Sequence, residues 1–173
     1  RALFKKEGIT VNEIDVGFNY NQFIADKLPA QWAFTSTAGV NLPAKGIDVN
    51  VISPADYGIV THGYTFITSE TIASQKPEIV EKFLAAVIEA TEYALKNREE
   101  SIASVLNRDE NFKKKVAEKQ LDIYEQGIKN NEKLCWFTMD ALKDTRDRIS
   151  DLGLISETYS LESTFDTKFV EKY

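Results

Sequence analysis

The organisation of the chain changes between Gly46 and Phe66, and that change limits what it can fold into. Before it, short apolar runs alternate with short helical patterns. After it, apolar residues recur almost entirely at helical spacing. The stretch itself reads as a strand over 49–52, a polar turn over 53–58 and a second extended segment over 64–68. A single strand makes no sheet. The helices that follow residue 77 therefore expect their strands from polypeptide upstream of residue 1 or from another chain. The break at 46–66 is read as a crossing from one lobe to another, the kind of place where ligand clefts form.

Taken in order, residues 1–7 carry helix formers, and Gly8 supplies a C-terminal stop. Ile14, Val16 and Phe18 alternate on one face of a strand. Gly17 to Asn21 is a turn cluster, and Asn21 is expected to cap a short helix over 22–28. Gln31 to Phe34 is an apolar run ending in Thr35-Ser36-Thr37. A helical turn or two is expected over 38–45. This rhythm predicts an α/β arrangement with a parallel sheet, in which ligands sit beyond the carboxyl ends of the strands. Those ends are Asn19-Tyr20, Thr35-Ser36-Thr37 and 53–57.

In the second part, Pro77 fits the first position of a helix whose apolar face repeats from Ile79 to Leu95. Asn97 and Glu100 have capping-box spacing. Two further helices are expected behind them, and a last one is capped by Thr138 and closed by Gly153. The tail from 154 is expected to be mostly extended or irregular, stapled by Tyr159, Phe165, Phe169 and Tyr173.

Composition narrows the function. The 173 residues carry a net charge of −6, which argues against a phosphate-backbone partner such as nucleic acid. The run Lys113-Lys114-Lys115 sits among acids and reads as a solvated helix face. The one histidine, His62, excludes a metal site built on several histidines. The one cysteine, Cys135, forms no intramolecular disulfide; a buried small hydrophobe and a reactive thiol both remain open. No apolar run reaches the roughly 18–20 residues of a membrane span, and no targeting segment is visible. The opening residues look like the last turns of a helix, so the chain is read as a fragment with any such signal upstream.

No P-loop, nucleophile elbow, dinucleotide loop or zinc spacing is present. Four stretches carry the candidate chemistry. Asp56-Tyr57-Gly58 is either an ordinary turn or a hinge whose tyrosine meets a ligand. His62 has a hinge or packing role or touches the ligand; with no Ser or Cys partner nearby, it has little support as a base. Trp32 and Phe34 belong to the core or offer an aromatic platform at a cleft, and the Trp32 N–H suits a cleft edge. Trp136-Phe137 reads as packing.

Read together, several runs resemble a known family: Gly46-Ile-Asp-Val-Asn-Val-Ile52, Ala55-Asp-Tyr-Gly58, Phe66-Ile-Thr-Ser-Glu70, the helix Lys76 to Ala94, Trp136 to Leu142, and Asp151 to Ile155. The chain resembles the extracytoplasmic solute-binding proteins of ABC importers, of the thiamine-pyrimidine-precursor type. The resemblance covers the C-terminal portion of such a protein. It implies a two-lobed, periplasmic-binding-protein-like α/β fold of type II. This chain would supply most of lobe two (1–58), a hinge crossing (59–66) and the C-terminal helical part of lobe one (67–173).

The implied function is binding of a small planar heterocycle in the inter-lobe cleft, with no catalysis, cofactor or metal. The implied partners are the ligand, an ABC permease, and a missing N-terminal segment or second chain. The implied location is periplasmic or that of a membrane-anchored lipoprotein. The ligand contacts would be Asn19, Trp32, Thr35, Ser36, Asp56, Tyr57, His62 and Tyr64. Many relatives carry an acid in the turn where this chain has Ser36-Thr37-Ala38-Gly39. That substitution leaves a pyrimidine, a flavin-like compound and a sulfonate as ligand classes. The alternatives are an enzyme of thiamine-pyrimidine biosynthesis, disfavoured by the absence of a cysteine-rich motif, and a sensor module of the same fold.

Overall fold

The computed structural model describes residues 1–60, 64–129, 133–155, 160–171 and 173. Its regular elements are helical. In chain order they are α1 (Ala2–Lys6), α2 (Asn21–Ile24), α3 (Ala38–Ala44), a 3₁₀ turn (Pro54–Tyr57), α4 (Glu70–Gln75), α5 (Pro77–Lys96), α6 (Arg98–Arg108), α7 (Lys114–Lys129), α8 (Met139–Asp151) and α9 (Leu161–Thr164). The segments expected as strands, 12–18, 31–34, 49–52 and 64–68, carry no ladder among the described residues. The strands of the α/β expectation therefore have no support among the described residues, and the cause is physical. A helix closes its hydrogen bonds within itself, whereas a strand exists only against a neighbour.

The chain divides into two compact units. The first comprises residues 1–9, 53–96 and 128–173. Its core is Leu84 of α5 with Phe169 and Val170 of the tail; Ala73, Val80, Cys135 and Trp136 pack against them. The tail staple therefore holds at Phe169. It holds too at Phe165, whose ring meets Phe137 edge-on at 5.5 Å. Pro77 opens α5 as expected. Ser69 caps α4 and Thr138 caps α8, each hydroxyl accepting a backbone N–H at 3.3 Å. Lys5 donates to the Asp151 carbonyl at 2.7 Å, placing a cation on the C-terminus of α8. Lys6 donates to the Tyr57 carbonyl, and Arg148 to that of Val60.

The second unit comprises residues 10–52 and 97–127. Its buried apolar side chains come from α3 (Ala38, Val40, Leu42), α6 (Ile102) and α7 (Val116, Ala117). Arg98, at the start of α6, grips both Asp122 and Glu125 on α7, a two-carboxylate clamp between consecutive helices. Asn97 is the N-cap of α6, but its side chain makes no cap hydrogen bond, so the expected capping box does not form in full. Lys113, Lys114 and Lys115 are exposed, as a solvated face requires. The short helix predicted over 22–28 is only α2. Asp26, at φ 55°, turns the chain out of it, and the capping acceptor is the Asn19 side chain, which receives the Asn21 N–H at 2.9 Å.

Cys135 resolves toward packing. It lies against the Leu84 cluster, and burial pushes its thiol above the ordinary value. Less thiolate is then present at any given pH. Alkylation by iodoacetamide at pH 8 is expected to be slow in the native protein and to accelerate on unfolding in urea; equal rates would contradict this packing. Leu84→Ala removes the centre of the same cluster and is expected to cost about 2–4 kcal/mol, read as a lowered urea midpoint.

Candidate functional site

The residues singled out by sequence fall on both units, and each group is described on its own unit. In the second unit, Phe18, Trp32 and Phe34 form one aromatic cluster. The Trp32 and Phe34 rings meet edge-on at 4.7 Å, Phe18 lies tilted 6.0 Å from Trp32, and Phe18 and Phe34 are near-parallel at 6.5 Å. Phe34 is half-buried, yet Trp32 is 64% exposed and Phe18 69%. Large rings kept at that exposure form an open apolar platform, and such surfaces mark binding sites more often than chance.

The backbone carries this platform in a defined way. Gly17 takes φ 55°, a left-handed conformation that suits glycine, and its N–H is received by the Asp15 carboxylate at 3.0 Å. That turn presents Phe18. Gln31 then ties the second ring-bearing segment to the first, its side-chain N–H group donating to the carbonyls of Asn19 (3.2 Å) and Gly17 (3.5 Å). The bonds flank Phe18 on one segment and originate next to Trp32 on the other. Beyond Phe34 the chain turns into α3, with Thr37 donating through its backbone N–H and hydroxyl to the Phe34 carbonyl.

The predicted polar contacts of this unit are placed unevenly. Thr35 is exposed at the platform's edge. Ser36 is buried, and its carbonyl receives Gln120 of α7 at 2.7 Å. The Asn19 side chain is exposed, but its oxygen is engaged at the start of α2. The structure thus brings Asn19 and Trp32 together through Gln31. Sequence reasoning missed two contributors. Phe18 read as one face of a buried strand, and Gln31 was absorbed into an apolar run; a polar residue heading such a run was the available signal.

In the first unit, Asp56 and Tyr57 form the 3₁₀ turn, closed by Gly58 at φ 73°. Asp56 is exposed, and Tyr57 is half-exposed with its carbonyl engaged by Lys6. Tyr64 is exposed, and Phe66 meets Phe83 of α5 edge-on at 5.3 Å. His62 lies outside the described residues. None of the described sequence-predicted site residues lines either of two cavities, one in each unit. The second unit's cavity, about 100 Å³ and lined by residues such as Asn41, Lys45 and Lys113, is too small for a fused heterocycle. The first unit's is an open depression of about 460 Å³ edged by Glu92, Lys129 and Lys133. Among the described residues no group of three or more His, Cys, Asp or Glu side chains is positioned to hold a metal ion, and no helix is long and apolar enough to cross a membrane.

Comparison with known proteins gives this geometry a context. The model of the NMT1/THI5-like family matches residues 1–101, more than half of the chain. The chain belongs to the NMT1/THI5-like family. That family has a periplasmic-binding-protein-like fold. The chain is also 25% identical over 171 residues to the riboflavin-binding protein RibY of Chloroflexus aurantiacus. The alignment covers 94% of this chain and 48% of that protein, so the chain spans about half the length of the curated relative it matches. No solved structure matches. The family segment, 1–101, contains the whole aromatic platform and the Asp56-Tyr57-Gly58 turn.

The anchor of the platform's polar edge is the Gln120 bond to Ser36. Gln120→Leu leaves that part-buried carbonyl without its donor and is expected to cost about 1–3 kcal/mol, measured by urea unfolding. A loss below about 0.3 kcal/mol would show that the bond does not hold the turn.

Proposed function

We propose that this chain is the ligand-contacting part of a solute-binding component of an ABC importer, and that it binds a small planar heterocycle without chemically changing it. The observation that carries this is the exposed platform of Phe18, Trp32 and Phe34 inside the family-matched segment. An aromatic surface left open to water gains by covering itself with another flat apolar ring. Stacking of a heterocycle on such a surface contributes about 1–3 kcal/mol per ring. Polar groups at the edge then fix orientation. The relative's name adds a candidate, riboflavin, which supports the flavin-like class over a sulfonate.

In this proposal Trp32 stacks on the ligand, and Asn19, Thr35 and Ser36 border it. The roles of Asp56, Tyr57, His62 and Tyr64 rest on the family resemblance. So do the finer features of the fold: lobe two over 1–58, a hinge crossing over 59–66 and the helical part of lobe one over 67–173. The segments without ladders are proposed as strands of that two-lobed α/β frame, paired with polypeptide outside the described residues. An extracytoplasmic location and a permease partner follow from the same family role. The relative's name speaks of binding and not of catalysis, which supports this reading over an enzymatic one.

The test is a tryptophan-fluorescence titration of the intact natural protein with riboflavin, a thiamine pyrimidine precursor and an alkanesulfonate. A saturable change with one of the two heterocycles is expected, weakened about 10-fold or more by Trp32→Ala. Binding of the sulfonate alone, or affinity indifferent to Trp32→Ala, would overturn the proposal.

A further inference from the structure

We propose that the outer face of α5 is a docking surface for a second copy of this chain, with the two α5 helices lying antiparallel. This goes beyond the proposed function and does not depend on what the aromatic platform binds.

Helix α5 is apolar over more of its circumference than its own unit covers. On one side Leu84 packs on Phe169 and Val170 with Val80 beside it, and Ile88 is buried. A second set of apolar residues, Ile79, Phe83, Ala86, Ala90 and Tyr93, is exposed. They recur in alternating steps of four and three, which places them on one stripe along a 20-residue helix. A helix of that length runs about 30 Å. Ile79 and Phe83 keep 51% and 52% of their surface in water, and Phe66, itself 56% exposed, meets Phe83 edge-on and widens the patch. A helix with apolar residues on two sides is expected to be covered on both, and an exposed apolar stripe of this extent marks an interaction surface.

The order of residues along the stripe says what covers it. Any apolar segment covers an apolar stripe, but a second α5 laid antiparallel also matches it step for step. With Phe83 opposite Ala86 of the second copy, Ile79 falls opposite Ala90 of the second copy, and two-fold symmetry repeats both pairs. Each layer then holds one large and one small side chain, the arrangement in which facing helices interdigitate. In the same register Lys82 faces Glu89 of the second copy, again twice. Both residues are exposed and border the stripe on one side. The other side is bordered by Val80, Val87 and Ala94, so it brings no like charges together. A parallel pair loses both matches: it sets Phe83 against Phe83 and Ala86 against Ala86, and it leaves Lys82 and Glu89 without opposite charges. A face that complements itself in this way gives a closed dimer with the same patch on both subunits.

Sedimentation equilibrium of the intact natural protein is the test. A reversible monomer–dimer equilibrium is expected at concentrations up to about 0.1 mM, with Ala86→Glu raising the dissociation constant about 100-fold or more. Ala86 is exposed, so this variant is expected to keep the wild-type helical circular dichroism. Lys82→Glu and Glu89→Lys are each expected to weaken association about 10-fold, because each turns both ion pairs into like-charge contacts. The two exchanges together are expected to restore it to within about 3-fold of the wild type. That rescue is specific to antiparallel self-pairing, since no other covering segment changes its charges along with the mutation. A protein that stays monomeric over the whole range, its stripe covered by another part of the same polypeptide, overturns the proposal. So does a dimer indifferent to Ala86→Glu, or one that the double exchange does not rescue.

Discussion

Every backbone N–H and C=O needs a partner, and the way each segment meets that need organises this molecule. The helices meet it within themselves. Their apolar faces are then buried, Leu84 against Phe169 and Val170 in one unit, and side chains of α3, α6 and α7, Ile102 and Val116 among them, in the other. The segments around 9–18, 31–34, 47–52 and 64–68 have no ladder among the described residues, and several of their large apolar side chains are exposed, Ile67 at 93%. Side-chain bridges take over part of the connecting role there. Gln31 is the clearest, because one amide joins two segments whose rings also meet.

How much was legible in the sequence follows from the same division. Helix α5 could be read because its signals are local: Pro77 at the first position, Glu78 beside it and a repeating apolar face. The Thr138 cap and the Gly153 stop are local too, and both are found. Ladder formation is not local. A period-two pattern reports that a segment suits a sheet, and the sheet depends on what lies beside it. Hence 14–18 and 49–52 carry the pattern without the ladder. The capping box at Asn97 failed for a different reason: spacing fixes which residues are near, and the side-chain torsion decides whether they bond.

The candidate site shows the same boundary. The exposure of Trp32 was legible because its indole N–H disfavours full burial. Its partnership with Phe18 was not, since it depends on how the Gly17 turn folds back toward residue 31. The result is a surface whose parts have separate tasks. Phe34 is half-buried and anchors; Trp32 and Phe18 stay open; Gln31 braces both. Membership of the NMT1/THI5-like family is what directs the proposal of solute binding to this surface.

The central claim is that the natural protein holds a small planar heterocycle non-covalently. Native mass spectrometry of the intact protein, purified gently from its own cells and followed by mass and absorbance of whatever is released on denaturation, tests it most directly. A released compound with near-ultraviolet or visible absorption and the mass of a small planar heterocycle is the expected result. Release of a sulfonate or another non-aromatic solute would contradict the claim.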